Sequence, residues 1–271
     1  MTESPDDPIR WWAHRTSPEL AAAVGPATVV VLPTAAIEQH GPHLPLSTDL
    51  DIGLGLLRAA FRALPDGTSV LALPPLAVGA SDEHAGLPGT LSAPDMAGSI
   101  VAAGRAVAAA GVRRLVVANS HGGNRAAVDT AALALRNDPG LLVVKAHWFR
   151  FPRPEGVGLP ESEWVHGLHG GAVETAMMLH LHPERVRTGG VRAFRSLGQD
   201  LEGTLRHVAP EGVAPFAWRA DDLHPDGVAG DATLASAALG ERLVAHYGRV
   251  LAEILGDAAA FPLERLAGGN G

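Results

Sequence analysis

Short apolar runs alternate with longer stretches of helical periodicity along most of this chain. The apolar runs cover residues 27–33, 69–74, 114–118 and 141–146. Helices are predicted over residues 49–64, 94–110, 124–136, 172–181 and 231–255. Strands that alternate with helices form parallel sheets, which helices cover on both faces through right-handed crossovers. The order of elements therefore predicts an α/β fold with a mostly parallel central sheet.

Local signals support several of these boundaries. Leu54, Leu57 and Phe61 recur at helical spacing in the first long helix. Pro94 suits the first turn of the next helix, and Gly111 is typical of a helix end. The last helix is expected to break near Gly240.

Length and composition narrow the class of protein. The 271 residues carry a net charge of -8 and show no linker, so one domain over residues 1–271 is expected. No cluster of Lys and Arg indicates a nucleic-acid surface. No apolar stretch reaches about 18 residues, and the N-terminus does not resemble a signal peptide, so a cytoplasmic protein without a membrane span is expected. Residues 186–230 are irregular and are expected to pack over the sheet's edge or mouth.

Cysteine is absent, whereas histidine occurs 13 times. Disulfides and thiolate metal sites are thereby excluded, so a bound metal would be held by His, Asp, Glu or water. Polar groups follow each predicted strand, at residues 38–40, 79–84, 119–124 and 147–148. Ligands of open α/β sheets bind beyond the carboxyl ends of the strands. We therefore expect the functional site at that edge of the sheet.

The first of these polar groups has the composition of a metal site. Glu38 and His40 are two residues apart, so in an extended segment they face the same side. Pro42 and Pro45 keep this segment out of a helix. Asp49 then begins the next helix, where its carboxylate would suit a bridge between two cations. A surface loop with Asp49 as a helix cap is the alternative.

His121 follows the third strand and precedes two glycines, which allow close approach of backbone and ligand. Alone it is equally consistent with a tight turn in which Asn124 caps the helix. A phosphate-binding loop is disfavoured because the turn is short and contains no Lys. A serine nucleophile is disfavoured as well, because no G-x-S-x-G motif occurs.

Further candidates lie in the other loops. His84 is a candidate contact to substrate or metal, with a solvated turn as the alternative. His169 is a candidate general acid, and Glu174, one turn into the following helix, a candidate ligand or base. Trp148 and Trp164 are candidate walls of a substrate pocket, with ordinary packing as the alternative.

Taken together, five segments resemble the creatininase family of metal-dependent amidohydrolases. They are EQHGPHLPLSTD (38–49), LPGTLS (87–92), NSHGGN (119–124), HGGAVETAMMLHLHP (169–183) and GVAGDAT (227–233). The resemblance covers most of the chain in the same order, and the first segment is its most specific part. It implies a three-layer α/β/α fold, two divalent metal ions per subunit and a homo-oligomer, with a hexamer as the expected size.

The resemblance also assigns roles to individual residues. Glu38, His40, Asp49 and His121 match metal ligands, with Asp49 bridging the two ions. Trp148 and His169 match positions near the substrate in creatininase itself, whereas Asn124, His84 and Trp164 are our own candidates for substrate contacts.

Two positions depart from creatininase. Gly123 stands where creatininase has a Glu ligand, and we predict that Glu174 replaces it. Leu168 stands where creatininase has a Glu before the residue that matches His169. Both departures count against creatinine as the substrate. Related branches of the family include a formamide deformylase and a mycofactocin-precursor peptidase.

The sequence therefore predicts a dinuclear hydrolase of a non-peptide or cyclic C–N amide bond, with water activated by Zn, Mn or Fe. We predict that His169 protonates the leaving nitrogen. Asn124 and the backbone of Gly122 and Gly123 are candidates for holding the oxyanion. The alternatives are the two related branches, a metal-stabilised scaffold without activity, and a nucleotide-binding α/β protein, which the absence of G-x-G-x-x-G disfavours.

Overall fold

A four-stranded parallel sheet forms the centre of the computed structural model, which describes residues 7–84 and 90–266. Part of the LPGTLS motif, residues 87–89, lies outside the described residues. The sheet has the order β2-β1-β3-β4. Its strands are β1 (Val29–Thr34), β2 (Val70–Ala72), β3 (Arg114–Asn119) and β4 (Leu142–His147). All four predicted strands are thus present, with β2 shorter than the run that predicts it.

Nine α-helices are described in these two ranges. They are α1 (Ser17–Ala23), α2 (Thr48–Ala63), α3 (Ala93–Ala109), α4 (Arg125–Asn137), α5 (Glu161–His166), α6 (Ala172–Leu181), α7 (Leu197–Leu201), α8 (Ala220–Leu223) and α9 (Ala237–Ala260). Four further strands are two residues long each: β5 (Ala193–Phe194), β6 (Val208–Ala209), β7 (Ala214–Pro215) and β8 (Gly230–Asp231). The irregular segment 186–230 thus contains only short elements.

Alternate residues of β1 explain the three layers. Val29 and Val31 pack with α2 and α9 on one face, whereas Val30 and Leu32 pack with α3 and α4 on the other. Successive side chains of a strand point to opposite faces, so a continuously apolar strand is buried on both sides. The predicted α/β/α arrangement with a parallel sheet is confirmed. Within the described ranges, no helix is long and apolar enough to cross a membrane.

The C-terminal helix differs from its prediction. It begins at Ala237 rather than at residue 231, because the side chain of Ser236 accepts a hydrogen bond from the Leu239 amide and caps it. It continues through Gly240 without a break. At Gly240 the helix meets α6 closely: a Cβ atom there would lie 1.9 Å from the carbonyl oxygen of Ala176. The glycine serves helix packing and does not end the helix.

This contact gives a test of the packing between α6 and α9. Gly240→Ala places a methyl group against backbone that cannot move aside, so we expect a loss of about 3 kcal/mol in the free energy of unfolding. Gly256→Ala is the matched control in the same helix, because a Cβ atom there meets nothing within 4 Å. It should leave stability unchanged or raise it by about 0.5–1 kcal/mol. Urea unfolding of both variants measures the difference, and equal midpoints would contradict the packing described.

Candidate metal centre

The candidate site lies at the carboxyl ends of β1 and β3, between which the strand order reverses. The chain leaves β1 towards β2 on one side and returns to β3 on the other, which makes this the switch point where α/β sheets bind ligands. Thr34 Oγ1 donates to Asn119 Oδ1 at 3.0 Å, and the Ser120 amide donates to the Thr34 carbonyl. These bonds join the two strand ends.

The loop after β1 folds back on itself before α2 begins. The Glu38 amide donates to the carbonyl of Leu46 at 3.0 Å. Gly41, with φ of 68°, makes the turn. Glu38 and His40 are thereby buried, with 1% and 0% of their surfaces exposed. A solvated surface loop is excluded as the reading of this segment.

Asp49 lies in the first turn of α2, but its carboxylate faces the site. Ser47 occupies the N-cap position without a side-chain cap bond. Asp49 Oδ1 lies 3.4 Å from His40 Nε2, and Asp49 Oδ2 lies 3.1 Å from His121 Nδ1. The side chain of Asp49 therefore stands between the two imidazoles, one from each strand end.

Hydrogen bonds to carbonyl groups determine which nitrogen of each imidazole is free. His40 Nδ1 lies 3.2 Å from the Glu38 carbonyl oxygen, and His121 Nε2 lies 2.8 Å from that of Ala80. A carbonyl oxygen only accepts, so these nitrogens carry the hydrogen. His40 Nε2 and His121 Nδ1 therefore face Asp49, and in the neutral imidazoles these nitrogens carry the lone pairs that can bind a metal. A backbone partner that orients a ligating imidazole in this way is typical of metal sites.

Glu174 lies on the His40 side of Asp49. It comes from the first turn of α6, where its Oε2 accepts a hydrogen bond of 2.7 Å from the Gly170 amide. Its Oε2 lies 3.9 Å from His40 Nε2. Four groups of possible ligand atoms, each spanning no more than 4.8 Å, occur in the described residues. Two of them are His40 with Asp49 and Glu174, and Glu38 with Asp49 and His121; the other two are Glu38 with His40 and His169, and Glu38 with Glu83 and His84. Asp49 belongs to the first two groups.

Two buried atoms are left without a hydrogen-bond partner here. They are His40 Nε2 and Asp49 Oδ2, the atoms that face the interior of the two groups. Buried polar atoms are normally paired, because desolvation without a partner is costly. Carboxylate and imidazole ligands suit divalent cations of the Zn, Mn or Fe type. The residues thus fit a divalent metal centre.

The buried carboxylates of the cluster also favour a positive charge among them. Burial by itself lowers the pKa of His40, but Asp49, Glu174 and Glu38 outweigh it and raise that pKa to about 9. Burial opposes protonation of His121 too, yet Glu38 and Asp49 hold its pKa well above its ordinary value. Burial and the Asp49 charge raise the pKa of Glu174 to about 7, although His40 opposes the shift. Without metal, protons must supply the positive charge.

His84 supports Glu38 through Gln39. The Gly41 amide donates to Gln39 Oε1, so Gln39 Nε2 is the donor to His84 Nδ1 at 3.1 Å. His84 therefore carries its hydrogen on Nε2, 3.3 Å from Glu38 Oε1. This places His84 beside a metal-ligand candidate.

His169 is held in the neutral form at the same edge. Its Nε2 donates to the Gln39 carbonyl at 2.7 Å, and its Nδ1 lies 3.7 Å from Glu38 Oε1. Burial and the neighbouring His40 lower the pKa of His169 to about 3. Its backbone pairs with Ala229, so part of the GVAGDAT segment lies against the site.

The remaining predicted contacts lie further into the scaffold. Asn124 uses both amide hydrogens on protein acceptors, the Ala35 carbonyl and Asn119 Oδ1. Trp148 is 8% exposed, donates to the Ser120 carbonyl and packs against Tyr247. Trp164 of α5 stacks under the guanidinium of Arg153. Their roles towards substrate stay predictions.

Two polar residues at the centre are absent from the sequence prediction. Ser81 donates a 2.6 Å hydrogen bond to Glu38 Oε2. Glu83 places its Oε1 3.4 Å from His121 Nε2. Both precede His84 in the polar run after β2, and the only signal available from sequence was that they belong to this run.

Comparison with known proteins agrees with the geometry. The family model for creatininase, creatinine amidohydrolase, matches residues 13–255. The mycofactocin precursor peptide peptidase of Mycolicibacterium smegmatis is 35% identical over 223 residues, 80% of each chain. The chain belongs to the creatininase family. Creatinine amidohydrolase of Pseudomonas putida is 31% identical over 175 residues, 58% of this chain and 66% of that protein.

Solved structures of creatininase share the fold of this chain over nearly its whole length. A crystal structure of creatininase matches 94% of this chain and 99% of its own with a TM-score of 0.74 at 24% identity. A structure described as creatininase Mn gives a TM-score of 0.72. Members of the creatininase family are hydrolases acting on carbon–nitrogen bonds, and this chain is an amidohydrolase with residues fitted to divalent metal.

The charge balance of this creatininase-family centre predicts a pH dependence. The folded pKa of His40, about 9, exceeds its unfolded value of about 6.5. Its protonation therefore stabilises the metal-free fold fully below pH about 6.5, and this contribution is lost as the pH rises towards 9. We expect the chelated protein to melt at lower temperature at pH 9 than at pH 6.5. The metal-loaded protein serves as control, since the metal replaces the protons; equal melting temperatures of the chelated protein would contradict the expectation.

Proposed function

We propose that this chain is a dinuclear metal-dependent hydrolase of C–N amide bonds. The observation that carries the proposal is the position of Asp49, whose two carboxylate oxygens face two separate imidazoles. One ion would be held by Glu38, Asp49 and His121, and the other by His40, Asp49 and Glu174. When bound, two such ions supply Lewis acidity for a water nucleophile and for the substrate carbonyl.

The proton transfers fall to His169 in this proposal. Its Nε2–H is held by the Gln39 carbonyl, so Nδ1 carries the lone pair on the side of Glu38. A neutral imidazole first accepts the proton that the attacking water loses. The same Nδ1–H then donates to the leaving nitrogen, which is the general-acid role predicted from the sequence. Gln39 keeps the tautomer constant between the two steps.

Glu38 is oriented by neighbours on both oxygens. His84 Nε2 faces Oε1, and the Ser81 hydroxyl donates to Oε2. These bonds limit rotation of the carboxylate, so it remains directed at the centre without a cost of reorganisation when the substrate arrives. His84 is therefore proposed to act on Glu38 as well as on the substrate.

Variants separate binding of metal from chemistry. Wild type is expected to hold two metal equivalents per chain after metal repletion. Glu38→Gln and His121→Ala should lose at least one equivalent and the amide-hydrolysing activity, because each removes a ligand. His169→Ala should keep both equivalents while kcat falls about 10²–10⁴-fold.

Glu253→Gln, an exposed position on α9, is the control that changes the same charge and should match wild type. Elemental analysis and single-turnover assays measure both quantities. Fewer than two equivalents in wild type, or activity kept by both ligand variants, would refute the dinuclear proposal. Two ions without hydrolysis of any amide would instead support the inactive scaffold.

A peptide substrate is the second candidate, and it rests on the relatives. The mycofactocin precursor peptide peptidase matches 80% of this chain at 35% identity, whereas creatinine amidohydrolase matches 58% at 31%. Leu168 and Gly123 also stand where creatininase has Glu, and both departures count against creatinine as the substrate. We therefore favour a peptide amide over creatinine within the same chemistry.

A substrate panel distinguishes these classes. Short peptides, formamides and cyclic amides, creatinine among them, are offered to the Zn- and Mn-loaded enzyme. We expect peptide cleavage to exceed creatinine hydrolysis in kcat/KM by at least about tenfold, a difference of roughly 1.4 kcal/mol in transition-state binding. The reverse ratio would refute the peptide assignment and leave the metal chemistry intact.

Light scattering on the same samples tests the homo-oligomer that the family resemblance predicts.

A further inference from the structure

The absence of a side chain at Gly123 lets another segment reach the metal centre. A Cβ atom at this position would lie 2.3 Å from the Ala80 carbonyl oxygen, 2.4 Å from His121 Nε2 and 2.7 Å from Glu83 Oε1. Real Cβ atoms do not approach other heavy atoms so closely. Gly123 is therefore required by the position of the polar loop after β2.

What occupies the space beside Gly123 is a carboxylate. The side chain of Glu83 is 18% exposed, and its Oε1 lies 3.4 Å from His121 Nε2. The Ala80 carbonyl accepts from the same nitrogen at 2.8 Å, so Nε2 carries the hydrogen. Glu38 Oε2 also lies near this nitrogen, at 3.3 Å. Glu83, Glu38 and Ala80 thus face the N–H of His121, whereas Asp49 faces Nδ1.

The backbone holds Glu83 in this place from two directions. The Glu83 carbonyl accepts a hydrogen bond of 2.9 Å from the Ala220 amide at the start of α8. Two residues earlier, the Ser81 amide donates to Thr90 Oγ1 at 3.0 Å. The carboxylate is therefore placed by long-range contacts and does not hang freely in solvent.

Glu83 and Glu174 serve different halves of the centre. Glu174 lies with His40 and Asp49 and stays our predicted replacement for the ligand absent at Gly123. Glu83 lies behind His121, in the other half. Because position 123 has no side chain, the carboxylate of Glu83 can lie in the space beside His121.

We propose that Glu83 is a positioning residue for the metal ligand His121. Its carboxylate faces the Nε2–H side of the imidazole together with the Ala80 carbonyl and Glu38 Oε2, so that Nδ1 stays directed at Asp49. Carboxylates behind a ligating histidine fix its orientation and raise its basicity. The inference rests on the proposed dinuclear centre and adds a residue to it.

The test compares Glu83→Gln with Asp82→Asn. Both remove one negative charge from the same loop without a change of size, but Asp82 is exposed. Competition with a chelator for Zn²⁺ on the full chain should show that Glu83→Gln weakens one of the two equivalents about 10–100-fold. The other equivalent should keep wild-type affinity, and Asp82→Asn should match wild type for both.

A spectroscopic readout separates positioning from folding. In Co²⁺-loaded protein, the visible absorption bands of the weakened site should shift in Glu83→Gln and not in Asp82→Asn. If Glu83→Gln does not fold, Glu83→Asp replaces it, because its shorter side chain withdraws the carboxylate and should weaken the same equivalent.

The outcomes are distinct for the two proposals. Wild-type affinity for both equivalents in the folded Glu83 variant, with unchanged Co²⁺ bands, overturns the role of Glu83. Fewer than two equivalents in wild type overturns the dinuclear proposal instead, whatever the variants show.

Discussion

The burial of the Asp49 carboxylate between two imidazoles is the interaction on which the rest of the centre depends. Asp49 is 2% exposed, and its oxygens face His40 and His121 from two different strand ends. A buried charge is tolerated only where opposite charge and hydrogen bonds compensate its desolvation. The neighbouring carboxylates, Glu38 and Glu174, increase that demand. Divalent cations, or protons in their place, are the means by which this cluster stays folded.

The arrangement of the strand ends brings these charged groups together. β1 and β3 are neighbours although they are not consecutive strands, so the loops that follow them open into one crevice. Separate segments then contribute around it: the loop after β1, the first turn of α2, the loop after β3, and the start of α6. The segment 227–230 closes over them, with the Gly227 carbonyl bound by Gln39. Backbone groups of their own segments orient His40 and Glu174, and the Ala80 carbonyl of the loop after β2 orients His121.

Much of this arrangement could be predicted from particular residues. The apolar runs at Val29 and Leu115 indicate strands because they are too short for a buried helix, and a strand buried on both faces is apolar at every position. Pro42 and Pro45 keep Glu38 and His40 out of a helix and on one side. The start of the last helix could not be placed in the same way, because Ser236 is one of several possible caps. Glu83 was missed for a related reason: its importance comes from Gly123 and Ala80, which are distant in sequence and adjacent only after folding.

The sequence by itself determined the class of fold, the family and the set of ligand types, because periodicity, the absence of Cys and the order of the motifs are properties of the chain. Only the tertiary structure decided how these groups are shared. Whether Asp49 caps a helix or lies between two imidazoles depends on where α2 begins relative to β3. Which imidazole Glu174 and Glu83 each lie beside depends on the approach of α6 and of the loop after β2. These are distances between remote segments, and local sequence does not encode them.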